Sequence, residues 1–167
     1  MSDALHGTEL VRELPTVADT HHFGRRLGGL LRSGDLLVLT GPLGAGKTAL
    51  VQGIAAGLGV LGDITSPTFV IARVHRPDPS QGGGATLVHA DAYRLGDAVD
   101  PRAEIDDLDL DASVDEAVTV VEWGEGMVEH LVDAHLRVCI DRRDDDTRLV
   151  GLVPVGGDWA DRLAGMR

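Results

Sequence analysis

With 167 residues, 43% of them hydrophobic, the chain is long enough to bury a substantial core and is expected to form one domain. Its 27 acidic residues outnumber the 15 lysines and arginines. The formal net charge of -12 argues against a protein whose main role is to bind bare nucleic acid, so we expect no direct DNA binding. A single cysteine, an N-terminus without the basic and apolar regions of a signal peptide, and the absence of an apolar run of ~18 residues predict a cytoplasmic protein with no membrane segment.

The first half of the chain predicts alternating helices and strands. Residues 16–32 have a rough apolar stripe and predict a helix, with Thr16 as its N-cap. Residues 36–39 are wholly apolar, which is typical of a strand covered on both faces. A second helix is predicted at about Lys47–Leu58, and Gly59 is expected to end it.

Strands dominate the second half. Two β-rich runs, TFVIARVHR and ATLVHADAYRL, flank a proline- and glycine-rich segment at residues 77–84, so we expect a hairpin with a long, mobile tip. The acidic segment AEIDDLDLDASVDEA predicts a surface helix and a loop, and VTVVEW predicts another strand. AHLRVCID and TRLVGLVPV predict two more strands, before a short final helix at residues 159–166. This order of elements predicts an α/β fold with a mixed sheet.

The loop between the first predicted strand and the second helix is TGPLGAGKTAL, which satisfies the Walker A pattern G-x-x-x-x-G-K-[ST]. Glycines let successive backbone N–H groups point into one concavity, and the helix that follows adds its positive N-terminal end. The loop is therefore predicted to bind phosphate. Its candidate nucleotide-binding residues are Gly41, Gly44, Ala45, Gly46, Lys47, Thr48 and Ala49.

Lys47 is the only lysine of the chain, and all the other basic residues in the total of 15 are arginines. Its compact ammonium group fits a narrow site at the β- and γ-phosphates better than the broad planar head of arginine. Thr48 can offer its hydroxyl to Mg²⁺. A GTPase would need a second lysine for the N-K-x-D motif that reads guanine, so ATP is the predicted nucleotide. Residues 14–16, and with them Thr16, are candidate contacts to adenine.

Two carboxylates are predicted to stand at the ends of strands, where ligands of open α/β sheets bind. Asp91 ends TLVHAD and Glu122 ends VTVVE, whereas Asp35 begins its strand and so faces the opposite edge. We expect one of Asp91 and Glu122 to hold Mg²⁺, directly or through water, and the other to orient the attacking water. The alternative for either residue is a carboxylate that caps a turn.

Two further features are candidates for the same site. TSPTF, at residues 65–69, lies between the second helix and the next strand. In P-loop switch proteins a hydroxyl from this region can touch the γ-phosphate or Mg²⁺, and a plain Ser-Pro turn is the alternative. His89 is a candidate proton carrier, although a histidine within a strand is more commonly a core or hydrogen-bonded residue.

The motifs GPLGAGKT, SPTF, HADAYRL and VEWGE occur in this order and resemble those of the TsaE family (formerly YjeE), small bacterial ATPases of tRNA threonylcarbamoyladenosine synthesis. The resemblance spans residues 14–125 and implies a P-loop NTPase fold, with a mixed, mainly parallel sheet flanked by helices. We expect this ATPase domain at residues 14–167, after a flexible N-terminus at residues 1–13. The resemblance also implies slow hydrolysis of ATP with Mg²⁺ and docking on the TsaB–TsaD complex, which modifies adenosine 37 of tRNA, so that tRNA is reached only through the complex.

The same resemblance implies roles for individual residues. Lys47 and Thr48 resemble the family's ligands of phosphate and Mg²⁺, and Glu122 resembles its second Mg²⁺ ligand. Asp91 resembles an acidic residue that hydrolysis requires. The candidate catalytic residues are therefore Lys47, Asp91 and Glu122, and the candidate metal ligands are Thr48 and Glu122.

Ser66 and Thr68 resemble the family's switch segment, which adds both to the candidate nucleotide-binding residues. Pro42 departs from the family, which commonly has aspartate or glutamate at that position. A proline removes only one backbone N–H, so the loop is still expected to bind phosphate.

Two other functions fit the Walker A loop, because that loop indicates nucleotide binding and does not specify a reaction. A small-molecule kinase needs a mobile arginine lid over the phosphates. DRRDDDTR could imitate such a lid through Arg142, Arg143 and Arg148, although its aspartates favour a solvated turn. A nucleotide-dependent binding module would bind ATP without releasing phosphate.

Overall fold

In the computed structural model, the described residues are 10–42, 44–60, 62–65, 72–82, 84–91, 116–122 and 133–167. Their strands are β1 (Leu10–Leu14), β2 (Leu36–Thr40), β3 (Ala72–His75), β4 (Thr86–Asp91), β5 (Ala117–Glu122), β6 (His135–Arg142) and β7 (Arg148–Val155). Their helices are α1 (Val17–Gly28), α2 (Lys47–Leu58) and α3 (Trp159–Leu163), with 3-10 turns at Pro79–Gln81 and Ala164–Met166. None of these helices is both long and apolar enough to cross a bilayer.

The seven strands form one sheet in the order β1-β7-β6-β2-β5-β4-β3. β6, β2, β5 and β4 pair in parallel, whereas β7 is antiparallel to β6 and β1, and β3 is antiparallel to β4. Among these strands, β3 and β7 therefore run against the common direction of the rest. The predicted α/β fold with a mixed, mainly parallel sheet is confirmed.

β2 and β5 lie in the centre of the sheet, and their sequences explain why. Leu36, Leu37 and Val38 are 0% exposed, and every residue of β5 is buried. A strand buried on both faces needs successive apolar side chains, which is the pattern on which the prediction of β2 rested. Because both strands are held by the core, their carboxyl ends provide fixed positions for the residues at that edge.

α1 and α2 contact each other backbone to backbone through two pairs of glycines. A Cβ atom added at Gly24 would lie 3.0 Å from the Cα of Gly53, and one added at Gly28 would lie 3.1 Å from the Cα of Gly57. The same atom at Gly24 would come within 2.5 Å of the carbonyl oxygen of Leu50. Side chains at these positions would push the helices apart. The glycines therefore hold α1 close against the helix that begins at Lys47.

The N-terminal boundary needs a correction. Residues 1–13 were expected to be flexible, but Leu10 begins β1 and pairs with Leu152 of β7. Leu10 and Leu14 are only 5% and 6% exposed, so burial of their side chains accompanies the pairing. The expected flexible segment is wrong for residues 10–13, and residues 1–9 lie outside the described residues. A strand with two inward-facing apolar residues is too short to give a clear periodic pattern.

α1 begins as predicted and ends earlier than expected. The Thr16 hydroxyl accepts the backbone N–H of Asp19 at 3.1 Å, and the Asp19 carboxylate accepts the backbone N–H of Thr16 at 3.0 Å, which completes a capping box. The helix stops at Gly28, followed by Gly29, instead of continuing to residue 32. Glycine has the lowest helix propensity apart from proline, so the pair of glycines is a natural end point.

β3 and β4 form the predicted hairpin, but its connection contacts the rest of the fold. The backbone N–H of Asp78 donates to the carbonyl of Gly59 at 2.7 Å, and Pro77 forms an isolated bridge with Val60. The Asp78 carboxylate also accepts the N–H of Ser80 at 2.9 Å. Residues 77–82 are thus anchored to the end of α2, which the prediction of a long mobile tip did not foresee. Most of the acidic segment at residues 103–117 lies outside the described residues.

Candidate nucleotide-binding site

The loop after β2 adopts a conformation that requires glycine. Gly44 and Gly46 have φ angles of 78° and 103°, in the left-handed region that other residues avoid. A Cβ atom at Gly41 would lie 2.2 Å from the carbonyl oxygen of Ile140 on β6. Leu43 lies outside the described residues. The glycines of the Walker A pattern are therefore explained by backbone geometry and by the close approach of β6.

The N-terminus of α2 opens onto this loop. Gly46 is its N-cap, and among the described residues no side chain caps the first turn. The N–H groups at the start of a helix have no partner within the helix, and together with the helix dipole they favour an anion. Thr48 and Ala49 lie in this first turn and are partly buried. The loop and helix thus have the backbone arrangement of a phosphate site.

Lys47 is buried in the loop, with 7% of its surface exposed. Its Nζ donates to the carbonyl oxygens of Gly41 at 2.7 Å and Pro42 at 2.9 Å. Burial lowers the pKa of the Lys47 ammonium below its usual value, because a charge loses solvation there, and the charges of Glu122 and Asp91 oppose this shift. The loop therefore positions the ammonium group of Lys47, and the carboxylates of Asp91 and Glu122 attract it.

Asp91 and Glu122 lie side by side. They are the last residues of β4 and β5, and they are direct partners in the parallel register of these strands. Glu122 is also the register partner of Leu39 on β2, one residue before the strand ends at Thr40. The structure thus brings both carboxylates to the edge of the sheet where the loop begins. Their roles in metal binding and hydrolysis stay predictions.

His89 contacts one of these carboxylates. Its Nε2 lies 2.6 Å from Oε2 of Glu122, and the two residues are 0% and 4% exposed. His89 precedes Asp91 by two positions on β4, so both side chains point to the same face of the sheet. Sequence reasoning considered His89 as a proton carrier and missed this pairing. The only local signal was the H-x-D spacing at the end of a predicted strand.

The remaining candidate nucleotide ligands are not brought to the loop by the described contacts. The hydroxyl of Thr16 donates to Asp19 Oδ2 at 2.7 Å and also accepts the backbone N–H of Asp19. The hydroxyl hydrogen of Thr16 is therefore used within the capping box of α1. Its contact with adenine stays a prediction. Ser66 and Thr68 lie outside the described residues, so the structure does not place them.

The three arginines of DRRDDDTR have different surroundings. Arg142 donates through Nε to Asp146 at 2.7 Å, and Arg143 forms an ion pair with Glu13 of β1 at 2.9 Å. Arg148 also pairs with Asp146, at 4.0 Å, and lies against the loop, since a Cβ atom at Gly46 would be 3.1 Å from its Nε. All three arginines of the β6–β7 hairpin therefore form ion pairs, and Arg148 is also next to the predicted phosphate site.

Asp35 is held away from this site, as expected from its place before β2. Its Oδ1 accepts a hydrogen bond from the guanidinium of Arg162 on α3 at 3.0 Å. Its Oδ2 accepts one from the backbone N–H of Arg32 at 2.8 Å. These contacts tie α3 to the turn between α1 and β2. Asp35 thus has a structural role at the amino end of β2.

The family model for the threonylcarbamoyl adenosine biosynthesis protein TsaE matches residues 14–150, a range that contains the loop, Asp91 and Glu122. The chain belongs to the TsaE family. The resemblance of its motifs to this family is thereby confirmed.

Individual relatives cover most of the chain. The TsaE protein of Streptomyces coelicolor is 56% identical over 141 residues, which span 82% of this chain and 91% of that protein. The TsaE protein of Mycobacterium tuberculosis is 52% identical over 81% of this chain and 82% of its own length. The TsaE protein of Bacillus subtilis is 34% identical over 84% of this chain and 83% of its own length. All three are named as tRNA threonylcarbamoyladenosine biosynthesis proteins.

A solved structure has the same fold. The crystal structure of Bacillus subtilis YdiB superposes with a TM-score of 0.73 at 26% sequence identity, covering 94% of this chain and 92% of that chain. Together with the family match and the glycine geometry of the loop, this similarity confirms the predicted P-loop fold.

Proposed function

We propose that this chain is a slow, Mg²⁺-dependent ATPase that acts on the TsaB–TsaD complex in the threonylcarbamoyl modification of adenosine 37 of tRNA. The observation that carries the proposal is that the loop holds the Lys47 ammonium by its carbonyls, while the charges of the adjacent strand-end carboxylates Asp91 and Glu122 attract it. The names of the TsaE relatives supply the pathway. Membership of the family and the chemistry of the site thus point to one function.

The loop and Lys47 would bind the phosphates of ATP. Backbone N–H groups at the start of α2 face the position of an anion, and Lys47 would exchange the carbonyls of Gly41 and Pro42 for phosphate oxygens. Its ammonium is held close to the loop before the ligand arrives. The chain therefore needs little rearrangement of Lys47 to form this contact.

The donor set near Lys47 also fits Mg²⁺, which prefers oxygen ligands and usually takes few of them from protein in nucleotide sites. Thr48 would contribute a hydroxyl from the first turn of α2, and Glu122 a carboxylate from the end of β5, directly or through water. When bound, the ion neutralises charge on the phosphates. Asp91, next to Glu122 in register, would orient the attacking water and accept its proton.

The partner proposal follows from the family and agrees with the charge of the chain. A net charge of -12 is unfavourable for direct contact with the phosphates of tRNA, so the chain would reach tRNA only through the TsaB–TsaD complex. Hydrolysis would be slow for the isolated chain and faster when the partners are present. In this role the ATPase resets or regulates the complex and does not act on the tRNA base.

The β6–β7 hairpin provides evidence about the alternative function, a small-molecule kinase. A kinase lid needs arginines that move over the phosphates, but Arg142 and Arg143 are held in ion pairs with Asp146 and Glu13. Arg148 alone lies next to the loop. The ion pairs favour a structural hairpin, so we keep the ATPase as the proposed function.

The deciding experiment measures phosphate release by the chain alone, with TsaB and TsaD separately, and with both, and pairs it with a pull-down of the complex with and without ATP. We expect weak release alone, a clear increase with both partners, and nucleotide-dependent capture. Release that is insensitive to both partners, together with absence of capture, would contradict the proposed role. ATP binding without any release in all four samples would instead indicate a binding module.

A further inference from the structure

The buried pair of His89 and Glu122 is not explained by packing alone. His89 is on β4, the strand next to Glu122, and lies two residues before Asp91. Its Nε2 is 2.6 Å from Oε2 of Glu122. A leucine could fill the same volume, but it would leave a carboxylate oxygen at a residue only 4% exposed without this donor. Burying an unpaired carboxylate oxygen is unfavourable, so the imidazole has a polar role at this position.

The contacts of the ring also indicate where its hydrogen lies. A carboxylate oxygen accepts, so the nitrogen that contacts Glu122, Nε2, must carry the hydrogen. The other ring nitrogen, Nδ1, is buried, and no group in the described part of the chain makes a hydrogen bond to it. The contact with Glu122 thus places a hydrogen of the imidazole on Nε2.

We propose that His89 is a positioning residue for Glu122. By binding Oε2, it restricts a side chain with several rotatable bonds and gives the carboxylate one orientation toward the Mg²⁺ site of the nucleotide. Hydrogen bonds to a metal-binding carboxylate are known to affect metal affinity, and their loss typically weakens it about 10- to 100-fold. The inference rests on the proposed function, because it assumes that Glu122 helps to bind Mg²⁺.

Two substitutions of His89 separate the donor from the volume of the ring. The amide nitrogen of glutamine reaches about the position of Nε2, whereas that of asparagine reaches only the position of Nδ1. Mg²⁺ is expected to strengthen binding of a fluorescent ATP analogue, and the Mg²⁺ concentration that gives half of this effect is the Mg²⁺ midpoint. We therefore expect His89→Asn to raise the Mg²⁺ midpoint about 10-fold or more. His89→Gln should restore most of this loss. Binding of the analogue in EDTA, where no metal is present, should be the same for all three proteins.

Two controls test whether the effect passes through Glu122. His75 is another buried histidine, 8% exposed, on β3 and outside the site, so His75→Asn should leave the Mg²⁺ midpoint unchanged. In the Glu122→Gln background, adding His89→Asn should cause no further shift of the midpoint. An unchanged midpoint in His89→Asn, equal effects of asparagine and glutamine, or a full additional loss in the double variant would overturn the inference.

The unsubstituted protein supplies an independent test if His89→Asn does not fold. Long-range ¹H–¹⁵N spectra of the imidazole should show the hydrogen on Nε2, and this signal should shift when Mg²⁺ is added to the ATP-analogue complex. A ring without a hydrogen on Nε2, or a signal that does not change with Mg²⁺, would contradict the positioning role. If the unsubstituted chain showed no Mg²⁺-dependent binding at all, the proposed function itself would fail, which is a different result.

Discussion

Asp91 and Glu122 are direct register partners at the carboxyl ends of β4 and β5, and both attract the buried ammonium of Lys47. Strands in a sheet are about 4.8 Å apart, so two carboxylates at one level of neighbouring strands share one local environment. Their different contacts distinguish them, since Glu122 accepts from His89. We therefore expect substitutions of the two residues to have different effects.

Glu122→Ala should weaken the Mg²⁺-dependent part of ATP affinity, by about 10-fold or more, because it removes the predicted carboxylate ligand of the ion. Metal-free nucleotide binding should change little. Titration of a fluorescent ATP analogue with Mg²⁺ measures both quantities. An unchanged Mg²⁺ titration would remove Glu122 from the metal site.

Asp91→Asn should leave nucleotide affinity nearly unchanged and lower hydrolysis about 100-fold or more, because an amide cannot accept the proton of the attacking water. Phosphate release in single-turnover experiments, with TsaB and TsaD present, measures the effect. Asp161→Asn, on the exposed part of α3, is a suitable control and should hydrolyse at the normal rate. Normal hydrolysis by Asp91→Asn would give Asp91 a structural role.

Lys47→Ala should lower turnover about 100-fold or more, because it removes the charge that is proposed to contact the phosphates. Lys47→Arg should restore little of this activity, since the planar guanidinium does not fit the space in which Nζ contacts the carbonyls of Gly41 and Pro42. Arg32→Ala removes a surface positive charge that pairs with Asp158 and should have no effect on turnover. Full activity in Lys47→Arg would show that only charge matters at this position.

Binding of ATP should be accompanied by proton uptake at alkaline pH. The pKa of Lys47 in the free protein is lowered from 10.5 by burial, so a fraction of the ammonium is deprotonated in the pH range between the lowered pKa and 10.5. Phosphate favours the charged form and raises this pKa, so the proton is taken up on binding. Calorimetry in two buffers with different ionisation enthalpies measures it. The uptake should vanish toward neutral pH, where Lys47 is already charged, and equal uptake at neutral and alkaline pH would point to another group.

Two glycines of the loop should differ in their tolerance of alanine. At Gly44, φ is 78° and no atom lies within 4 Å of an added Cβ, so Gly44→Ala should cost about 1 kcal/mol of backbone strain. At Gly41 the added Cβ would lie 2.2 Å from the carbonyl oxygen of Ile140, so Gly41→Ala should cost about 3 kcal/mol as the loop shifts away from β6. Urea unfolding measures both changes. Equal losses would show that the loop can move away from β6 without strain.

Much of the site could be predicted because its signals are local. The Walker A spacing, the Thr16 cap, the apolar run of β2 and the strand-end carboxylates each depend on residues close together in the chain. The same reasoning failed for β1, whose burial depends on β7 at the other end of the chain. It also failed for residues 77–82, which are anchored by the end of α2. Neither partner is visible from the local sequence.

The sequence by itself determined the Walker A loop, its lysine and the family to which the chain belongs. Only the tertiary structure decided that Asp91 stands beside Glu122, that His89 binds Glu122 across 33 residues of chain, and that Arg148 lies against Gly46. The physical reason is that these contacts are set by strand order and register. Both arise from the way the whole sheet packs around β2 and β5, and no short segment encodes them.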